Sequence, residues 1–236
     1  MAALAADFSW ADTPWPNIKW NGSLALTSDY IQQGLSQTRG EPAIQGGLRA
    51  QLDERWTVGT WASGIDRYPG HGADMEIDLY AARAFRITPE WIASLTATHY
   101  YYPKDQGYVR YDYDEVAASL GYRSAVFATV AWSPNYADAS YRGVVADKSA
   151  VSYELSANQP IAGGWSANVG AGYRDLSELF DESYWYGHAG LMYSASRFTA
   201  HLTYTYVDRT ARELFGHQRA AIAWSGTVIW RFGDID

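Results

Sequence analysis

The sequence predicts an all-β protein, a 12-stranded antiparallel transmembrane β-barrel, from three observations. Apolar and polar residues alternate with period two in about a dozen segments, as in strands with one oily and one wet face. The connections between those segments are alternately short and long. Aromatic residues gather at both ends of the segments, where a membrane-spanning strand would meet water.

The alternating segments cover 18–32, 43–53, 55–66, 75–88, 90–102, 111–123, 125–135, 147–158, 164–175, 183–194, 197–208 and 219–232. In MEIDLYAARAF, Met75, Ile77, Leu79 and Ala81 alternate with Glu76, Asp78 and Tyr80. In WSANVGAGYR, Trp165, Ala167, Val169, Ala171 and Tyr173 oppose Ser166, Asn168, Gly170, Gly172 and Arg174. FTAHLTYTYV repeats the pattern with Phe198, Ala200, Leu202, Tyr204 and Tyr206 on one face. No window of similar length carries a helical apolar stripe. Short connections fall near Asp53–Glu54, Thr88–Glu90, Arg123–Ser124, Gln159–Gly163 and Ser194–Ser196. The longer ones, at 33–42, 67–74, 103–110, 136–146, 176–182 and 209–218, are richer in Gly, Pro and charge. Short turns at one end and long loops at the other, with an even strand count, describe an outer-membrane barrel.

The chain holds 11 Trp and 19 Tyr against 7 Phe, an excess of rings that are half apolar and half wet. Parity puts Trp56, Phe85, Trp91, Tyr122, Trp165, Tyr193, Phe198, Trp230 and Phe232 on the oily face near the short turns. Tyr30, Tyr101, Tyr113, Tyr173, Trp185 and Tyr206 stand at the long-loop end. The tyrosines between 100 and 113 are expected to belong to this second membrane girdle, around a loop at Pro103–Arg110. The small and polar opposite face suits an enclosed lumen, since no second apolar face remains for a soluble core. Twelve strands lie between barrels filled by side chains and wide aqueous porins, so a narrow or partly plugged lumen is expected.

A net charge of −8 without a Lys/Arg run argues against a nucleic-acid partner. The absence of cysteine excludes disulfides and thiolate metal sites. No apolar run of about 18 residues offers a transmembrane helix. Residues 1–16, beginning MAALAADFSW, read as an N-terminal periplasmic segment of a mature chain whose export signal has been removed, and 17–236 as the barrel. The expected surroundings are outer-membrane lipid and lipopolysaccharide, with the barrel assembly machinery as a transient partner and a monomer as the favoured state. The final strand, SGTVIWRF, carries the terminal aromatic that such machinery recognises in barrels it resembles.

LALTSDYIQQGLSQTRGEPAIQGGL, at 24–48, resembles the TorF family of porins, also catalogued as the Gcw_chp family. The matching elements are Thr27-Ser28-Asp29-Tyr30, Gly34-Leu35-Ser36-Gln37 and Pro42-Ala43-Ile44-Gln45-Gly46-Gly47, with Glu76–Ala81 (EIDLYA) as a second match. Gln33 stands where that family often has arginine. The resemblance implies an outer-membrane barrel with pore activity and supplies no substrate or catalytic residues.

By parity the lumen is lined by Asp29, Arg49, Glu76, Asp78, Glu115, Glu154, Arg174, His188, His201 and Arg231, with Lys19 beside them. This mixture of signs, without rows of Arg and Lys, predicts a lumen not strongly selective by charge, with passive diffusion of small polar solutes or ions, or a charge network that partly fills the barrel. Glu76 and Asp78 share one strand face about 7 Å apart. Glycosidase-type acid/base work or cation binding is the weaker reading of that pair, and neutralisation of a lumenal base such as Arg49 the stronger. His71 beside Asp74, and His217, sit in long loops without a recognisable catalytic context, so no enzyme activity, metal or cofactor is expected. The glycines of GGWSANVGAGYR have no helix start after them to cradle phosphate, and are expected to make room for bulky lumenal residues or a bend. The alternative function is a non-conducting barrel whose outer loops bind a partner or surface ligand.

Overall fold

The computed structural model describes residues 18–66, 74–103, 112–136 and 148–234. Twelve long strands close into an antiparallel barrel. They are β1 (Lys19–Thr27), β4 (Ala43–Gln51), β5 (Trp56–Gly64), β6 (Met75–Arg86), β7 (Trp91–Tyr101) and β8 (Tyr113–Tyr122). The series continues with β9 (Val126–Tyr136), β10 (Lys148–Ala162), β11 (Trp165–Leu176), β12 (Glu182–Ala195), β13 (Phe198–Val207) and β14 (Ala223–Gly233). Each pairs with the next in the chain, and β1 closes the ring against β14 from Asn21↔Gly233 to Thr27↔Thr227. Closure leaves no edge strand, so every strand finds its ladder partners within the wall.

The outer wall is oily. Met75, Leu95, Val169 and Leu202 are 43%, 48%, 55% and 50% exposed, and Leu24, Leu48, Leu79, Leu155 and Val228 stand among them. Burying one such side chain is worth about 1.5–3 kcal/mol. A continuous belt of them turned outward is stable only where hydrocarbon replaces water. Trp56, Trp91, Trp165, Tyr193, Phe198 and Trp230 lie exposed on this wall near the short turns, and Tyr101 and Trp185 near the long connections. Phe232 is partly covered and packs on Trp230, with ring centroids 5.2 Å apart. Cross-strand pairs order these rings, with centroids 4.8 Å apart for Trp91–Tyr122 and 5.0 Å for Trp165–Tyr193.

The short turns owe their shape to local chemistry. Asp53 Oδ1 accepts the N–H groups of Arg55 and Trp56 at 2.7 and 2.6 Å, closing the β4–β5 turn through its side chain. Arg123 and Ser124, both at positive φ, make the two-residue β8–β9 hairpin. The β10–β11 turn sits at Gly163–Gly164, because β10 runs on through Ala162 past a bulge, and not at the expected 159–163.

Several expectations are corrected. The first barrel strand ends at Thr27, not 32. The chain then turns inward as a small hairpin, β2 (Ile31–Gln32) paired with β3 (Leu35–Ser36), so Tyr30 is buried in the interior and not in a girdle. Tyr113 is likewise buried, as are Tyr100 and Tyr102, which leaves Tyr101 on the outer face among the described tyrosines of that group. Period two itself demands this, since neighbours of an outward residue must point inward. Two of the long connections contain short helices, α1 (Ser177–Phe180) and α2 (Arg209–Phe215), the second capped by the Asp208 carboxylate on Ala211 N–H at 2.9 Å. The last strand accordingly begins at Ala223, not 219. The 1–16 segment and His71 lie outside the described residues.

Candidate functional site: a lumen closed at one end

The inward hairpin follows from its own sequence. Gln33 and Gly34 have φ of 48° and 81°, the pair of left-handed residues that a two-residue hairpin turn requires. The Asp29 carboxylate ties the legs together, accepting hydrogen bonds from Ser36 Oγ at 2.5 Å and Thr38 Oγ1 at 2.8 Å. Gln37 N–H donates to the Tyr30 carbonyl at 2.7 Å, and Tyr30 N–H to Thr38 Oγ1 at 3.1 Å. A second left-handed pair, Arg39–Gly40, returns the chain to β4, with Glu41 N–H on the Thr38 carbonyl at 3.1 Å.

The hairpin then crosses the lumen. Its root is at β1; its tip meets β10, β12 and β13 on the far side. Gln33 Nε2 donates to Ser152 Oγ, and Tyr184 donates its hydroxyl to the Gln33 carbonyl, each at 3.1 Å. Gly34 lies so close to the wall that a Cβ there would stand 2.6 Å from Tyr186 Cβ and from Val207 Cγ1. The segment between α2 and β14 latches the outer side, with Ser36 N–H on the Arg219 carbonyl at 2.7 Å and Arg39 hydrogen-bonded to Gln218.

Glu76 anchors the near side. Its carboxylate accepts the hydroxyls of Tyr30 at 2.7 Å and Tyr102 at 2.8 Å, and it is fully buried. A layer of rings continues round the wall. Tyr100 stacks on Tyr113 at 4.3 Å, Tyr113 meets Tyr136 edge-on at 5.0 Å, and the Arg174 guanidinium covers Tyr136 at 4.5 Å. Tyr186 donates to Glu154 at 2.9 Å, and Tyr100 more weakly to Glu115 at 3.3 Å. The tyrosines at the long-loop end are therefore the hydroxyl donors that hold lumenal carboxylates in a space with little water. Gly172 makes room for this layer, since a Cβ there would stand 2.1 Å from the Tyr186 ring.

Toward the short turns the lumen changes character. Arg49, His201, Arg231 and Lys19 are half-buried, as are His188 in the middle of β12 and Asp78 nearer the long-loop end of β6, and small residues such as Ser23, Thr203 and Ser225 line the wall. Arg49 Nε donates to Asn21 Oδ1, and Arg231 reaches Thr199 Oγ1. Asp78 shares a strand face with Glu76 but does not touch Arg49. The neutralisation expected from sequence is replaced by tyrosine hydroxyls on Glu76. His217 is exposed in the turn after α2. Among the described residues no group of His, Asp and Glu is arranged to hold a metal ion. Sequence reasoning did not foresee Gln33, Ser36, Thr38, Tyr102 and Tyr184 as parts of one plug. The Gln-Gly pair inside an otherwise polar stretch was the available signal.

A closed barrel with an oily exterior and a polar interior, entered from one end by a folded loop, is the architecture of outer-membrane channel proteins. The chain belongs to the Gcw_chp family, described as "Bacterial protein of unknown function", which matches residues 11–230. No curated protein sequence matches it significantly. Among solved structures it is similar to the NanC porin, with a TM-score of 0.60 at 7% identity over 91% of this chain and 100% of that one. It is also similar to the KdgM porin, with a TM-score of 0.55 at 5% identity, covering 90% and 99%. A third likeness is the COG4313 outer membrane channel from Pseudomonas putida F1, with a TM-score of 0.50 at 11% identity, covering 97% and 98%. At these identities the likeness concerns the fold.

Proposed function

We propose that this protein is a porin-like channel of the bacterial outer membrane, passing small polar solutes or ions, with the infolded hairpin 28–38 as its constriction. The observation that carries this reading is the contrast within one lumen. The half near the short turns is lined by half-exposed polar and charged residues, while the half near the long loops is crossed by a hairpin held by Glu76, Ser152 and Tyr184. A purely structural barrel has no use for a polar vestibule, and a wide porin none for a plug. The short turns and both chain ends would face the periplasm and the long connections the exterior. The girdle rings would sit at the two lipid interfaces, and lipopolysaccharide would surround the outer one. The similarity in fold to two porins and an outer membrane channel supports this assignment.

Planar-bilayer recording of the purified full-length protein tests it. Small discrete conductance steps are expected from the natural chain, and steps several times larger when Ile31–Ser36 is replaced by a short Gly-Ser link. A barrel that stays electrically silent in both forms would favour the alternative, a non-conducting barrel that displays loops.

A further inference from the structure

Apart from Arg174, two residues from the long-loop end of β11, the lumenal charges are sorted by sign along the barrel axis. Glu76 and Glu115 lie one and two residues from the long-loop ends of β6 and β8, Asp78 three from that end, and Glu154 near the middle of β10. Lys19 opens β1 at the short-turn end, and Arg49 and Arg231 stand two residues from the short-turn ends of β4 and β14. The two groups are also answered differently. Glu76, Glu115 and Glu154 accept hydrogen bonds from tyrosine hydroxyls, and Arg174 is buried in the same layer. Arg49 and Arg231 have no carboxylate within ion-pair distance among the described residues; each is held by one neutral side chain, Asn21 and Thr199.

Those single contacts leave donors over. Arg49 spends Nε on Asn21 and keeps both terminal nitrogens, while Arg231 spends Nη1 and keeps Nε and Nη2. Arg49 pairs across β1 with Asn21, and Arg231 pairs across it with Ser23, so the two Cα atoms are two strands and two residues apart. That is about 12 Å at ordinary sheet spacings. Two long side chains rooted so, and turned inward by barrel curvature, converge on a common space.

Resting on the channel reading above, we propose that Arg49 and Arg231 form an oxyanion subsite at the inner mouth, and that the channel prefers small carboxylate- or phosphate-bearing anions to cations. Unpaired guanidinium forks bind such planar or tetrahedral oxyanions through paired N–H donors, which a chloride ion cannot match. A ring of like charge in a narrow lumen raises the local concentration of counter-ions. Glu76, Glu115 and Glu154 are placed where tyrosine hydroxyls hold them, and Asp78 lies on the same strand face as Glu76, two residues further in, so the positive end controls entry from the short-turn side. The rim around that mouth is mixed, with Arg55 beside Asp53 and Glu54 on one turn, Arg123 next to Glu90 on others, and Arg197 and Asp234 near the ends of β13 and β14.

The test is the reversal potential of the full-length channel in a planar bilayer under a KCl gradient, repeated with potassium phosphate. Anions should permeate roughly threefold or more over potassium. Phosphate added on the short-turn side should shorten open times. The double variant Arg49→Gln/Arg231→Gln should lose both effects while keeping its conductance steps. Arg49→Lys/Arg231→Lys should keep the anion preference but lose most of the phosphate block, since an ammonium lacks the fork. Open steps with no anion preference, or a preference unchanged in the glutamine variant, would overturn this proposal and leave the channel reading standing. Silence of the natural and hairpin-shortened chains alike would remove both.

Discussion

The two halves of the lumen use the same strands to opposite ends. Near the long connections, Tyr100, Tyr102, Tyr184 and Glu76 are almost wholly buried, and the hairpin is seated on them. Near the short turns, residues at equivalent parity, such as Ser23, Arg49, Thr203 and Arg231, remain half-exposed. Strand propensity is alike in both halves; side-chain volume is not. Large rings fill the outer half and small residues leave the inner half open, so one end of a continuous wall carries the packing energy and the other the access to water. Polar groups in the dry half must find partners, because an unmet buried group costs about 1–3 kcal/mol. In the wet half water can serve, and unpaired guanidiniums are tolerated.

The sharpest way to break that contrast is Gly34→Leu. A residue at φ 81° pays about 1–2 kcal/mol for its left-handed backbone, and the new side chain collides with Tyr186 and Val207. The hairpin should leave the lumen, and single-channel conductance should approach that of the chain lacking Ile31–Ser36. Unchanged steps would mean that the hairpin does not set the constriction.

Glu76→Gln should act on the dry half alone, and less strongly. The amide keeps one acceptor for the two hydroxyls of Tyr30 and Tyr102 and turns its donors toward the other, so a loss of about 1–3 kcal/mol is expected in urea unfolding from detergent micelles. Ser23→Ala, at matching parity in the wet half, should stay within about 0.5 kcal/mol. Equal costs would erase the distinction between the halves.

The smallest effect belongs to the outer rim. Glu178, in α1, accepts the Ser149 N–H at 2.9 Å, and that bond holds its carboxyl below the ordinary carboxylate range. A depressed acid contributes its stabilisation above its unfolded pKa and loses it as pH falls through the folded value. Acidification should therefore lower the protection factor of the Ser149 amide, its rate taken relative to intrinsic exchange at the same pH, while the barrel ladders stay protected. A Ser149 protection factor indifferent to pH would remove Glu178 as its anchor.

The porin-like barrel was legible because alternation is a local property. MEIDLYAARAF and FTAHLTYTYV state which side meets oil, and the Met75 and Leu202 side chains stand on that side. The short turns were legible for the same reason, as with Asp53 closing its own turn. The plug was harder to read. Thr27 to Gln32 continues an alternating polar stretch, and nothing within it says that the chain leaves the wall after Thr27. The partners that draw it inward, Glu76, Ser152 and Tyr184, lie between 46 and 151 residues away in the contacts they make.

Tyr30 and Tyr113 were misplaced for a related cause. A tyrosine near a strand end satisfies a membrane interface and a buried carboxylate equally well, because its ring is apolar and its hydroxyl polar. Strand number, face and turn placement thus follow from residues adjacent along the chain, since each needs only the period of two and the chemistry of a few neighbours. Which lumenal groups meet, which end of the pore is dry, and where the unpaired guanidiniums point depend on closing twelve strands into one ring. That closure brings together side chains whose encounter no local pattern encodes.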